Sequence, residues 1–152
     1  MKVGLSLGAN LGNRLEQLQA AKSFLVGLST GGWHQASPLY ETVPVDCPPN
    51  SPAFLNAVIE IEYARPPRDL LEKIKIYEDA QGRDRNLPKN AARKIDIDML
   101  YCGDLKITEP DLVVPHPRML ERRFVLMPLS KIRPDLELPA GIGEVRFVQQ
   151  EW

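Results

Sequence analysis

At 152 residues the chain has the size of one ordinary domain, expected to span 1–152, and its 43% apolar and 26% charged content supports a core without staples. A formal net charge of -1 excludes a global field that draws nucleic acid, so any anion site must be local. Cys47 and Cys102 make no disulfide framework, no charged and apolar leader opens the chain, and no segment approaches membrane-spanning length, so the cytoplasm is the expected compartment.

Lys2 to Leu7 predicts a short strand, with Val3, Leu5 and Leu7 facing one way and Gly4 and Ser6 the other. Gly8-Ala9-Asn10-Leu11-Gly12-Asn13 turns the chain without the residues of a phosphate-binding loop. Asn13 and Glu16 have the spacing of a helix cap, and Leu15, Leu18, Ala21, Leu25 and Leu28 repeat at helical spacing. Gly31-Gly32 precedes a strand from about Trp33 to Glu41, in which Ser37-Pro38 implies an edge or a bulge. Thr42 to Pro52 is a proline-rich loop, longer than a hairpin needs, and the chain's 14 prolines cluster here and beyond 110.

Phe54 to Tyr63 is the clearest strand. Leu55, Ala57, Ile59, Ile61 and Tyr63 form its core side, and Phe54 and Asn56 share the other. Pro66-Pro67 starts a second helix with Leu70, Leu71, Ile74, Tyr77 and Ala80 as its buried stripe. Gly82 is placed to end it, with Glu78 and Gln81 nearby. Gly103-Asp104 turns into Leu105-Lys106-Ile107, read as the second arm of a small hairpin. Leu112 to Pro115 is extended, and Arg118 to about Ser130 is helical in part, with Pro128 interrupting it. From Pro134 to Trp152 the pattern is weak, with Val145, Phe147 and Val148 as possible core cover. The order strand, helix, strand, strand, helix, strand through Tyr101 predicts an α+β, ferredoxin-like βαββαβ core. Its sheet is antiparallel with helices on one face, and C-terminal hairpin and helical segments are added to it.

The chemistry concentrates around residues 82 to 101. Ile95, Ile97, Met99 and Tyr101 read as the core side of a strand, with Asp96, Asp98 and Leu100 opposite. Just upstream, Arg83, Arg85, Lys89, Arg93 and Lys94 stand against Asp84 alone. Carboxylates favour divalent cations and arginines favour phosphate oxygens, so the two together suggest a metal-nucleotide site. Each signal alone is as readily a solvated face or an exposed loop.

Lys89-Asn90-Ala91-Ala92-Arg93-Lys94-Ile95-Asp96-Ile97-Asp98-Met99-Leu100 resembles the signature of the 6-hydroxymethyl-7,8-dihydropterin pyrophosphokinase family of folate biosynthesis. The resemblance covers essentially the whole chain from Gly4. It includes Tyr40-Glu41-Thr42, Phe54-Leu55-Asn56, Gln81-Gly82-Arg83, and Val114-Pro115-His116-Pro117-Arg118-Met119 with Arg122 and Phe124. It implies transfer of pyrophosphate from ATP to the hydroxymethyl group of the pterin, giving AMP. It further implies that Asp96 and Asp98 hold two Mg²⁺ ions, and that Arg83, Arg93, His116 and Arg122 contact the nucleotide. By the same resemblance Arg85 acts in the loop that closes over the reaction. Phe54 and Phe124 sandwich the pterin, and Asn56 with Thr42, Val43, Pro44 and Val45 reads its polar edge. Glu78 lies in the active-site region of relatives with no firm role.

Several positions depart from the family pattern. Ala9 replaces a serine beside the pterin pocket, Asn90 a tryptophan of some relatives, Ala91-Ala92 a Gly-Pro pair, and Pro117 an aromatic. His34 matches nothing. Two alternatives stay open on the residues: another Mg-dependent nucleotidyl or phosphoryl transferase, and a non-catalytic ferredoxin-like binding module. The implied partners are ATP and the pterin, with no nucleic acid and no membrane; a monomer is favoured although the sequence does not settle it.

Overall fold

The computed structural model describes residues 1–42, 52–82 and 95–152. Val43, Pro44 and Val45, with the loop as far as Ser51, lie outside the described residues. So does the segment 83–94, which carries Arg83, Arg85, Arg93, Asn90, Ala91 and Ala92.

Strand β1 (Lys2–Ala9) leads into helix α1 (Arg14–Leu28), whose first turn is capped by the Asn13 side chain accepting from the Glu16 N–H at 3.1 Å. Then come β2 (His34–Ala36), β3 (Leu39–Thr42), β4 (Phe54–Glu62), α2 (Pro67–Ala80) and β5 (Asp96–Cys102). The C-terminal part adds β6 (Ile107–Glu109), β7 (Leu112–Val114), α3 (Arg123–Ile132) and β8 (Val145–Gln149). Among the described residues one six-stranded sheet has the order β5-β1-β4-β3-β8, with β2 also on β4, and every pairing is antiparallel. This is the ferredoxin-like α+β arrangement with additions after β5. No helix among the described residues is long and apolar enough to cross a membrane.

The alternation of apolar residues in β1, β4 and β5 builds one core layer. Val3, Leu5, Leu7, Ala57, Ile59, Ile61, Ile97 and Met99 meet Leu18, Ala21 and Leu25 of α1 and Leu70 and Ile74 of α2. Phe24 and Tyr77 stack between the two helices with ring centroids 4.3 Å apart. A second, smaller cluster lies on the opposite face, where Val125 and Leu129 of α3 pack with Val58, Leu100, Tyr101 and Met119. Helix α3 therefore covers part of the face that the βαββαβ order alone leaves bare.

Several expectations change. Tyr101 does not share the side of Met99, because the β1–β5 register shifts: Leu5 faces Met99 but Gly4 faces Tyr101, so Leu100 is an extra residue. That bulge moves Tyr101 to the acidic side. The predicted strand over 33–41 is two strands, broken where Ser37 Oγ takes over the pairing by accepting from Val58 N–H at 2.9 Å. Leu105 to Ile107 does not return along β5; β6 pairs with β7 in a separate two-stranded sheet. Pro128 lies within a continuous α3 rather than interrupting it, and the weakly patterned tail contains β8, whose Phe147 is 56% exposed and adds little to the core.

The bulge predicts opposite outcomes for one substitution at two glycines. A Cβ on Gly4 would overlap the Tyr101 ring, whereas one on Gly27, inside α1, meets nothing within 4 Å. Gly4→Ala is expected to cost about 1–3 kcal/mol by overpacking, and Gly27→Ala to stabilise by about 0.5–1 kcal/mol. Urea unfolding of both variants checks this, and equal effects would contradict the placement of Tyr101.

Candidate active site

Residues that pair directly across antiparallel strands point to the same side of a sheet, so the register lays out the site in rungs. One rung joins Asp98, Ser6 and Val58. The next joins Asp96, Gly8, Asn56 and Tyr40, and Phe54 and Thr42 form the one beyond. All are on the face opposite α1 and α2. Gly8 lets this surface sink: a Cβ there would lie 3.0 Å from Asn56 Oδ1 and 3.5 Å from Phe54 Cδ1.

Asn56 is only 3% exposed, and its amide donates to Thr42 Oγ1 at 2.7 Å. That bond fixes the rotation of the amide and leaves its oxygen able to accept a further hydrogen bond. Phe54 is half-buried at the start of β4. Asn10, itself buried, donates to the Pro52 carbonyl at 3.2 Å, and Arg14 reaches the Ala53 carbonyl at 2.9 Å and Glu41 at 2.9 Å. These bonds hold the approach to Phe54. Ala9 faces the helix-side core, fully buried, so the hydroxyl it lacks takes nothing from the site face.

The outer edge of β5 is tied on both sides of Asp98. Glu78 of α2, 5% exposed, accepts from Ile97 N–H at 2.9 Å, and His116 N–H donates to the Leu100 carbonyl at 2.7 Å. Glu78 thus takes a buried place on α2, whereas Ala80 of the predicted stripe is exposed. His116 follows a cis Val114–Pro115 peptide, and its Nδ1 accepts from the Arg118 N–H at 3.1 Å. In the neutral ring the proton is therefore on Nε2, which is a donor.

Asp96 and Asp98 are partly buried, and their Cα atoms stand roughly 6.6 Å apart along the strand. The Asp98 carboxyl is pushed up to about 8, first by burial and then by the charges of Asp96 and Glu78. Arg122, between the short helical turn Met119–Glu121 and α3, opposes this shift. Its own pKa is lowered by burial and by Arg118, against the attraction of both aspartates. Arg122 also lies over Phe124, 5.5 Å from the ring centroid. Phe124 is half-buried against the second cluster.

The structure thus brings Asp96, Asp98, Arg122, His116 and Phe124 to one end of the sheet, and Thr42, Phe54 and Asn56 to the neighbouring rungs. Asn10, Arg14 and Glu78 support them without having been assigned a role from the sequence. Asn10 and Arg14 had no signal beyond lying in a turn and a helix start. A lone acid at a helical core position was the signal for Glu78.

An acid pair with an arginine and a donor histidine, beside an aromatic and amide surface on a ferredoxin-like sheet, has the kinds of group that phosphate-transfer enzymes use. The model of the 7,8-dihydro-6-hydroxymethylpterin-pyrophosphokinase family matches residues 4–134. The chain is 39% identical over 140 residues to the 2-amino-4-hydroxy-6-hydroxymethyldihydropteridine pyrophosphokinase of Pseudomonas aeruginosa, covering 92% of this chain and 85% of that one. It is 37% identical over 146 residues to the protein of the same name from Haemophilus influenzae, covering 96% and 90%. To the folic acid synthesis protein fol1 of Pneumocystis carinii it is 38% identical over 139 residues, spanning 90% of this chain but 18% of that longer protein. The chain belongs to the 7,8-dihydro-6-hydroxymethylpterin-pyrophosphokinase family. It is an ATP-dependent pyrophosphokinase, with Mg²⁺ and ATP implied by that membership.

The raised Asp98 pKa has a sign that can be measured in EDTA without substrates. Between about pH 4 and pH 8 the folded protein keeps a proton that the unfolded chain has released. Raising the pH therefore favours unfolding. The melting temperature of Asp98→Asn is expected to match the wild type near pH 4 and to exceed it increasingly up to pH 8, then by a constant margin. A difference that does not change with pH would refute the shift.

Proposed function

We propose that Asp96 and Asp98 hold Mg²⁺ against the triphosphate of ATP while Phe54, Asn56 and Phe124 hold the pterin, so that its hydroxymethyl group meets the β-phosphorus at the acid end of the sheet. The observation that carries this reading is the rung from Asp96 through Gly8 to Asn56. Two strand spacings separate its ends by roughly 10 Å, the span of a two-ring heterocycle with one substituent. A guest lying flat over Gly8 directs one edge to Asn56 and the other to the aspartates.

The donor set fits the ion. Among the described residues no group of three or more His, Cys, Asp or Glu side chains could hold a metal. Two hard carboxylates with phosphate and water completing the shell suit Mg²⁺, which usually keeps several waters rather than binding in an all-protein cage. When bound, the two ions expected here neutralise the phosphates and lower the pKa of the attacking hydroxyl.

The chain's own groups have distinct tasks in this reading. Arg122 faces the phosphates as a fork of donors, and the Nε2–H of His116 donates to a phosphate oxygen. Arg83, Arg85 and Arg93 add positive charge, with Arg85 acting on the closed state. Phe54 and Phe124 stack on the two faces of the pterin, and Asn56 and Thr42, with the Val43-Pro44-Val45 backbone, take its polar edge. The hydroxymethyl group loses its proton to water, and its oxygen forms a bond to the β-phosphorus as the bond from that phosphorus to the α–β bridging oxygen breaks, releasing AMP. Positioning and electrostatics supply the acceleration.

Two experiments test these roles. Purified protein given ATP, Mg²⁺ and 6-hydroxymethyl-7,8-dihydropterin is expected to release AMP, and Asp96→Asn and Asp98→Asn each to lower turnover at least ~10²-fold. ADP as product, or near-normal turnover of both variants at limiting Mg²⁺, would overturn the assignment. Phe54→Ala and Asn56→Leu are expected to weaken pterin binding by about 1–3 kcal/mol and to leave ATP binding unchanged. Calorimetry with an unreactive ATP analogue present measures both affinities, and unchanged pterin affinity in both variants would move the pocket elsewhere.

A further inference from the structure

Beyond the site, the acidic face of the sheet carries a second polar group, one rung past Asp98. Glu60 of β4 is 3% exposed, and Tyr101 of β5 donates its hydroxyl to Glu60 Oε2. Arg133, which ends α3, donates from Nη1 to the same oxygen at 3.2 Å and approaches the Tyr101 hydroxyl at 3.5 Å. Its Nε and Nη2 are held by Asp135 at 2.9 and 2.8 Å, and its guanidinium lies 5.7 Å from the Tyr101 ring centroid. One guanidinium thus joins two strands of the sheet to the end of one helix.

We infer that Glu60, Tyr101 and Arg133 are positioning residues that set where α3 lies on the sheet, and through it where Arg122 and Phe124 stand relative to Asp98 and Phe54. The inference rests on the proposed roles of Arg122 and Phe124. Its physical basis is the difference between the two kinds of contact under α3. Val125 and Leu129 pack on Val58, Leu100 and Tyr101, which is strong but non-directional. Such a face tolerates small slides of the helix, whereas an arginine fork held from both sides does not.

The strap beyond α3 does not replace this anchor. Arg123 N–H donates to the Ile142 carbonyl at 3.1 Å, and Ile142 N–H to the Glu121 carbonyl at 2.8 Å. Those bonds tie the start of α3 to the segment that follows it. Arg122 and Phe124 occupy the first turn of the helix that Arg133 ends, so a shift at one end is transmitted to the other. Buried ion pairs are weak sources of stability and are often replaced by apolar residues without loss, their best-attested use being to specify register.

That property separates positioning from stability. The triple variant Glu60→Met, Tyr101→Phe, Arg133→Met is expected to melt cooperatively near the wild-type temperature. Its KM values for pterin and ATP are expected to rise on the order of tenfold. Adding Phe124→Ala to it is expected to raise the pterin KM by less than the same change does in the wild type, because the contact has already been weakened. Unchanged KM values in the well-folded triple variant, or full additivity with Phe124→Ala, would overturn the inference. If the triple variant does not melt cooperatively, Arg133→Lys, which keeps the charge but loses the fork, decides by the same two criteria. Phe124→Ala alone without effect on pterin refutes the role of Phe124, and the ATP KM, read through Arg122, then decides the positioning.

Discussion

The active face depends on one strand having almost no side chains there. On that side β1 presents Gly4, Ser6 and Gly8, and its neighbours lie across it: Tyr101 over Gly4, and Asn56 and Phe54 over Gly8. The other side of the same strand supplies Val3, Leu5 and Leu7 to the main core. One eight-residue strand therefore anchors the fold on one face and leaves a trough on the other. Any larger residue at Gly4 or Gly8 would lift the side chains that close the trough from β4 and β5.

Helix α3 divides that face. Over the half containing Val58 and Leu100 it makes a second core, and its first turn brings Arg122 and Phe124 to the border. Asp98 lies at this border, where burial and the charges of Asp96 and Glu78 raise its pKa against the opposing charge of Arg122. The arrangement is electrostatically unfavourable without a cation and becomes favourable when one is shared with phosphate. In the proposed reading, the same crowding of Asp98 by Asp96 and Glu78 that raises its pKa is what a metal-nucleotide complex would relieve.

Much of this was legible in the sequence because it is local and periodic. The alternation from Ile95 to Met99, the core face of β4, the Asn13 cap and the order of elements needed only residue spacing. The family resemblance supplied the roles proposed for His116, Arg122 and Phe124, which spacing alone could not. What was illegible depends on register. The bulge that turns Tyr101 to the acidic face exists only in the pairing of β5 with β1, and a period-two pattern in one strand cannot reveal it. Strand β8 is exposed on most of its length, so it lacks the apolar alternation that marks a half-buried strand, and the Glu60–Tyr101–Arg133 group joins residues far apart in the chain.

In the proposed complex the heterocycle lies along the rung that runs from Asn56 through Gly8 to Asp96, one rung from Asp98, with the reacting substituent at the acid end. Paramagnetic broadening by Mn²⁺ in the complex with an unreactive ATP analogue and the pterin measures this directly. The hydroxymethyl protons of the bound pterin are predicted to broaden strongly in the wild type and to sharpen in Asp98→Asn. Hydroxymethyl protons left sharp in the wild-type complex, with both ligands bound, would contradict the account.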